Sequence, residues 1–269
     1  MTAFTTADFF AYDSKKWISK AYTLERRVVK GKLEEIAKLS LSKEHENFLG
    51  FHYEISDEFP SLQNNKKVDS QWLWFSRDTE EQKRLTAMLE KIILEKDSIF
   101  NLAPYHHHAI LFINLNLHRI EVGVRIHTDA WIDLDNLRKK IALDWEKERF
   151  IKLLKILPDK SEVGIENDLS LMIDDTLSSS EITELTQKLN SLKNSWFFCR
   201  KTFLKSEVAD TENFEEVLSD ILIKFLPLFR FICWSRDNDH IQMKETLKQE
   251  KKETRPKVIE SFSIGEKVS

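Results

Sequence analysis

Between residues 109 and 126 two runs of alternating apolar side chains flank a short break, and no other stretch constrains the fold as tightly. Ala109, Leu111, Ile113 and Leu115 share one side of the first run; Ile120, Val122, Val124 and Ile126 share one side of the second. Side chains alternate faces along a strand, so each run is a strand with one apolar face. An antiparallel hairpin over 108–127 follows. An even-length turn about Leu117 and His118 pairs Leu115 with Ile120, Ile113 with Val122, Leu111 with Val124 and Ala109 with Ile126. A shift of one residue would set apolar faces against polar ones, which burial forbids. Leu-His is a poor two-residue turn. A four-residue turn over 116–119 keeps the same register.

The register also fixes the opposite face. It pairs Asn114 with Glu121, Phe112 with Gly123, Ile110 with Arg125, and His108 with His127. The bare backbone of Gly123 leaves room for the Phe112 ring. His106 joins His108 on that face if the backbone there is extended, and Asp129 lies two residues beyond His127. The open end of the hairpin thus gathers His106, His108, His127 and Asp129 as candidate metal ligands. Imidazoles plus a carboxylate suit zinc, iron or manganese and can activate a water. Without a metal, His127 and Asp129 are the candidate catalytic pair, a general base and the carboxylate that orients it. The competing structural account makes 105–108 a surface loop and has His127 and Asp129 cap the following turn.

The remaining elements are read from periodicity. Residues 14–40 predict a long N-terminal helix with Trp17, Ala21, Leu24, Val28, Ile36 and Leu39 in one stripe. Strands are predicted over 51–55 and 70–76, the second apolar on both faces through Trp72, Leu73, Trp74 and Phe75. A helix follows from Thr79, with Gln82 completing a capping box and Leu85, Met88, Leu89 and Ile92 inward. After the hairpin, a helix over 133–149 turns Leu134, Leu137, Ile141 and Trp145 inward. Two short strands bracket 166–168. Ser178 and Glu181 form a second capping box, for a helix with Ile182, Leu185, Leu189 and Leu192 inward. A strand over 196–204 precedes a last helix over 212–234, which Pro227 should kink. The fold class is α+β: antiparallel sheet from repeated strand-strand-helix units, flanked by helices, behind a long N-terminal helix. The expected division is 1–150, a smaller α+β portion over 151–236 packed on the first or continuous with it, and a charged tail over 237–269.

Composition narrows the function classes. Only 5 Gly and 5 Pro occur, which disfavours a glycine-rich phosphate cradle. The formal net charge of −4 argues against generic nucleic-acid binding. Residues 1–43 carry nine Lys or Arg against five Asp or Glu, so a local basic patch on the first helix keeps a nucleic-acid partner as an alternative. Cys199 and Cys233 lie in apolar stretches and read as reduced, buried thiols. No secretory leader or apolar span of membrane length is apparent, so no membrane partner and a cytoplasmic location are expected. No Walker loop, nucleophile elbow, His-Glu-x-x-His or paired Cys-x-x-Cys is present. Asp174 with Asp175 is a weaker cation candidate, and Arg77 and Arg236 are weaker anion candidates, with salt bridges to their adjacent Asp as the simpler account. The expectation is therefore a non-catalytic intracellular interaction protein, binding another protein or itself and needing no cofactor. The alternative is a metal-dependent hydrolase or nuclease built on the histidine cluster.

Overall fold

A computed structural model describes residues 4–241, except 45, 47, 49, 50, 63, 78, 79, 84, 86–103 and 210. Helix α1 (Thr6–Phe10) and a 3-10 turn (Lys20–Tyr22) precede the long helix α2 (Thr23–Lys43). Strands β1 (His52–Ile55) and β2 (Ser70–Ser76) lead to the hairpin β3 (Ile110–Asn116) and β4 (Arg119–His127). Helices α3 (Trp131–Ile141) and α4 (Asp144–Lys155), strands β5 (Ser161–Ile165) and β6 (Leu169–Met172), and helix α5 (Ser179–Ser191) follow. The chain then forms β7 (Trp196–Leu204), α6 (Lys205–Ala209) and α7 (Phe214–Ile232).

Among the described residues seven strands form one antiparallel sheet in the order β1-β2-β3-β4-β7-β5-β6. The sheet crosses residue 150, because β7 pairs with β4 along its whole length. The hairpin register is the expected one: Leu115 pairs with Ile120, Ile113 with Val122, Leu111 with Val124, and Phe112 with Gly123. Residues 116–119 close it. Neither Leu117 nor His118 takes a positive φ. Instead the Asn116 side-chain oxygen accepts the backbone N–H groups of His118 (2.9 Å) and Arg119 (3.2 Å). That side-chain turn accommodates a dipeptide unsuited to a primed turn.

The apolar hairpin face packs under α7, while α2 covers β1 and β2 and packs against α7. Burial of each Ile, Val or Leu there is worth about 1.5–3 kcal/mol. The second face is also buried across β3 and β4. Trp74, Ile110 and Phe112 form a separate cluster on it, with Trp72 and Tyr105 against the edge.

Several elements depart from expectation. The N-terminal helix starts at Thr23, not 14. The Arg26 guanidinium accounts for this by donating to the carbonyls of Ala11, Lys16 and Ser19, which holds 11–19 as turns over its side chain. A stripe phased on Trp17 and Ala21 is therefore out of register. Val29, Leu33, Ile36 and Ala37 face inward, while Leu24 and Val28 are 70% and 57% exposed. The helix expected over 133–149 is two helices. Leu143 is extended and restarts the chain as α4, so Phe150 and Leu154 turn inward and Trp145 is 60% exposed. The last helix, by contrast, forms where it was expected, with Pro227 inside it. Of the helix expected from Thr79, residues 80–83 and 85 are helical and Leu85 is buried. Its Thr79 cap, Met88, Leu89 and Ile92, like the tail beyond 241, lie outside the described residues. The Ser178–Glu181 capping box forms as expected, and both cysteines are free and buried.

Residues 238–240, expected in the tail, are bonded to the body. The Asn238 amide donates to the carbonyls of Phe231 (3.1 Å) and Cys233 (2.6 Å) at the end of α7. Its oxygen accepts from Lys140 Nζ (2.7 Å), which also donates to Phe231 O (2.9 Å). Burial pulls the Lys140 ammonium down to about 8, against the opposing pull of Glu146. In the unfolded chain a lysine titrates near 10.4. Between these values the unfolded state holds a proton that the folded state has released, so stability contributed by this group rises with pH from about 8 to 10.4. Denaturant unfolding across that range should show the wild-type protein gaining stability relative to Lys140→Met as pH increases. A constant difference would contradict the depressed value.

Candidate metal site at the open end of the hairpin

The last residue of β4, His127, pairs with Trp196, the first residue of β7. The turn after it is pinned by Thr128 N–H to Ser195 O (3.2 Å) and Ala130 N–H to His127 O (3.0 Å). This turn carries Asp129 back against its own strand, with Asp129 Oδ2 2.9 Å from His127 Nδ1. The backbone N–H of Asp129 also approaches Nδ1, at 3.2 Å. A neutral ring cannot donate and accept at one nitrogen. The Asp129 carboxylate and the Asp129 N–H therefore compete for Nδ1, and a cation in place of the proton would satisfy both the Nδ1 lone pair and Asp129 Oδ2.

His106 reaches the same point from a 3-10 turn (Pro104–His106), not from an extended strand. Its ring centroid lies 4.4 Å from that of His127, and both rings contact Trp196, at 5.1 and 4.8 Å. The Tyr105 ring lies between those of His106 (4.9 Å) and Trp74 (5.1 Å), tilted to both. One potential ligand atom each from His106, His127 and Asp129 lie within 4.8 Å of one another. The buried Nδ1 of His106 has no hydrogen-bond partner. Burial, and then the neighbouring His127, lowers His106 to about 4. Burial lowers His127 too, with Asp129 opposing. Both imidazoles are therefore neutral near pH 7 and offer lone pairs, the form in which histidine binds a metal. Asp129 is the open side of the cluster, its side chain 37% exposed.

His108 does not join them. The β3–β4 ladder stops at Ile110–Arg125, because the next amide, Ala109 N–H, donates to Asp133 Oδ2 at 2.8 Å. That bond turns the chain away before His108 can sit opposite His127. His108 is buried beside Arg77 and Asp133 instead, and burial lowers it to about 4. Arg77 bonds Asp133 and the carbonyl of Trp234, while Asp78 of the simpler account lies outside the described residues. Trp234 N–H also donates to Asp133 Oδ1 (2.8 Å). One carboxylate thus ties β2, β3, α3 and the end of α7 together.

Behind the cluster the same face of the sheet carries interlocked charges. Arg125 lies two residues before the end of β4. It reaches Glu166 in the β5–β6 turn (2.8 Å), while Glu121 pairs with Arg119 (3.0 Å) and Arg200 (3.1 Å). Arg200 also grips Glu162 (2.7 Å) and Glu166 (3.2 Å). The Arg125 guanidinium lies 4.9 Å from the Trp196 ring centroid and 5.3 Å from that of Trp72. Sequence reasoning missed Trp196 and Glu166 as neighbours of the site. No local signal puts β7 beside β4.

The weaker candidates resolve into structure. Asp174 accepts from the backbone N–H (2.8 Å) and hydroxyl (2.6 Å) of Thr176, a turn before the Ser178 cap. The basic surplus of the N-terminal region is largely engaged: Lys32 with Asp8, Lys30 and Arg27 with Glu58, Lys16 with Glu25, and Lys43 with Asp220. Among the described residues no helix is long and apolar enough to cross a membrane.

The fold is α+β, and among the described residues one histidine–carboxylate cluster that could hold a metal lies at a sheet end. The sequence matches none of the known protein-family models, and none of the curated proteins it was compared with.

Proposed function

We propose that this chain is a metal-dependent hydrolase whose ion is held by His106, His127 and Asp129. The observation that carries the reading is the convergence of two neutral imidazoles and one carboxylate within 4.8 Å. Two nitrogens and one oxygen suit zinc, iron(II) or manganese. Three protein ligands leave coordination positions for water and substrate, which distinguishes a catalytic site from a closed structural one. A bound water in such a site is acidified towards neutral pH and becomes a nucleophile. Asp129 Oδ2 and His127 Nδ1 lie side by side, 2.9 Å apart, and Asp129 is the side open to solvent.

Elemental analysis of the purified protein tests this. A stoichiometric amount of one of these metals is expected, removable by chelator together with any ester-hydrolysing activity and restored on readdition. His127→Ala should weaken metal binding by more than the about 10–100-fold that loss of an outer-shell partner costs. A protein that retains no metal after incubation and washing contradicts the proposal.

A second reading, the non-catalytic interaction protein, is favoured by a different observation. Ile18, at 77% exposure, joins Leu24 and Val28 as apolar side chains left in solvent around the start of α2. Apolar groups so placed suit contact with another protein or a second copy. Concentration-dependent sizing separates the two readings, since the hydrolase needs no partner.

A further inference from the structure

We infer that the substrate of this site is a singly charged phosphodiester carrying a flat aromatic group, with Arg125 as the residue that holds a non-bridging phosphoryl oxygen. This rests on the metal-dependent reading above.

Charge comes first. A divalent ion held by two neutral imidazoles and the Asp129 carboxylate leaves one net positive charge. The sheet face behind adds none, because Arg119, Arg125 and Arg200 are balanced by Glu121, Glu162 and Glu166. One negative charge on the substrate matches that centre. A neutral carboxylic ester leaves it unmatched, and a dianionic monoester exceeds it.

Position comes second. Trp196 touches both imidazoles and lies against the Arg125 guanidinium, so one ring is the shared wall between the cluster and the arginine. Arg125 is 9% exposed, and its buried Nε has no hydrogen-bond partner although Nη2 is bonded to Glu166. A buried guanidinium with a donor to spare is suited to a phosphoryl oxygen, which accepts through more than one lone pair. Trp72 and Trp196 flank it and are only half-buried. Indole rings so placed give an aromatic ester group a flat surface to stack on. In the reaction the water oxygen bonds to phosphorus as the ester P–O bond breaks. One water proton ends on the leaving oxygen, giving a phosphomonoester and an alcohol or phenol.

The test compares three p-nitrophenyl compounds on the metal-loaded full chain: the bis-phosphodiester, the phosphomonoester and the acetate. Each rate is taken relative to its uncatalysed reaction. The diester should show the largest acceleration, by tenfold or more over either of the others. Arg125→Lys should raise KM for the diester several-fold, and by more than it changes KM for the acetate. Glu166→Gln, which releases Arg125 from its partner, should lower KM for the diester, and it keeps the proposal falsifiable if the arginine variant does not fold. Equal acceleration of the acetate, preference for the monoester, or a diester KM unmoved by Glu166→Gln would overturn the substrate assignment while bound metal left the hydrolase reading standing. Absence of bound metal would overturn both.

Discussion

Asp133→Ala is expected to cost about 3–5 kcal/mol of stability, the range for breaking a buried ion pair by removing one partner. Asp133 and Arg77 are both buried, and the carboxylate accepts from Arg77, from Trp234 N–H and from Ala109 N–H. Removing it leaves a buried guanidinium and two backbone donors without the acceptor they share. The damage is spread, because those groups belong to β2, to the residues after α7 and to the start of β3. Urea unfolding should show the midpoint falling sharply. The double change Arg77→Leu with Asp133→Leu should recover part of the loss, since an apolar pair needs no counter-charge. Recovery stays incomplete because the two amides remain unpaired. A loss below about 1 kcal/mol for Asp133→Ala, the value of an exposed pair, would show that this knot does not hold the elements together.

Gly123→Ala is expected to be comparably severe, about 3 kcal/mol or more, at the upper end of overpacking penalties. A Cβ on Gly123 would stand 2.0 Å from the Cys199 carbonyl oxygen and 2.7 Å from Arg200 Cα. Both atoms are backbone of β7, so no side-chain rotation relieves the clash. The strands at the middle of the sheet must separate. Gly31 in α2 is the control, because a Cβ there meets nothing within 4 Å. Gly31→Ala should stabilise the protein by up to about 1 kcal/mol through helix propensity alone. Equal tolerance of both substitutions, read by thermal or urea unfolding, would refute the account of Gly123. The sequence pointed to this glycine through its partner Phe112, but the tighter constraint comes from the strand on its other side.

That difference marks how far the sequence could be read. The hairpin register was legible because period-two alternation on both strands leaves one pairing that buries every apolar residue. Burial enforces that rule locally, and the structure obeys it through Ile110–Arg125. Beyond that point the rule stops, because Asp133, 24 residues downstream, takes the amide of Ala109. Pairing logic therefore placed His108 opposite His127 where a distant carboxylate does not allow it. His127 and Asp129 were legible as near neighbours in sequence. His106 was named for a strand geometry that is in fact a 3-10 turn, and it reaches the cluster by a different path. Trp196, Glu166 and the Arg77–Asp133 pair come together only through the β4–β7 pairing and the return of α7. Those contacts join segments that share no local pattern. The phase of α2 failed for a related reason: Arg26 folds residues 11–19 back over itself, which a helical stripe cannot register.

The central claim is that His106, His127 and Asp129 hold a metal. Cobalt(II) titration tests it most directly, because a bound ion with imidazole and carboxylate ligands gives visible absorption whose intensity reports coordination number. The metal-free wild-type protein should develop such bands to saturation at a single equivalent. His127→Ala and Asp129→Ala, folded as judged by circular dichroism, should not. A wild-type spectrum indistinguishable from free cobalt(II), or bands that survive in both variants, would contradict it.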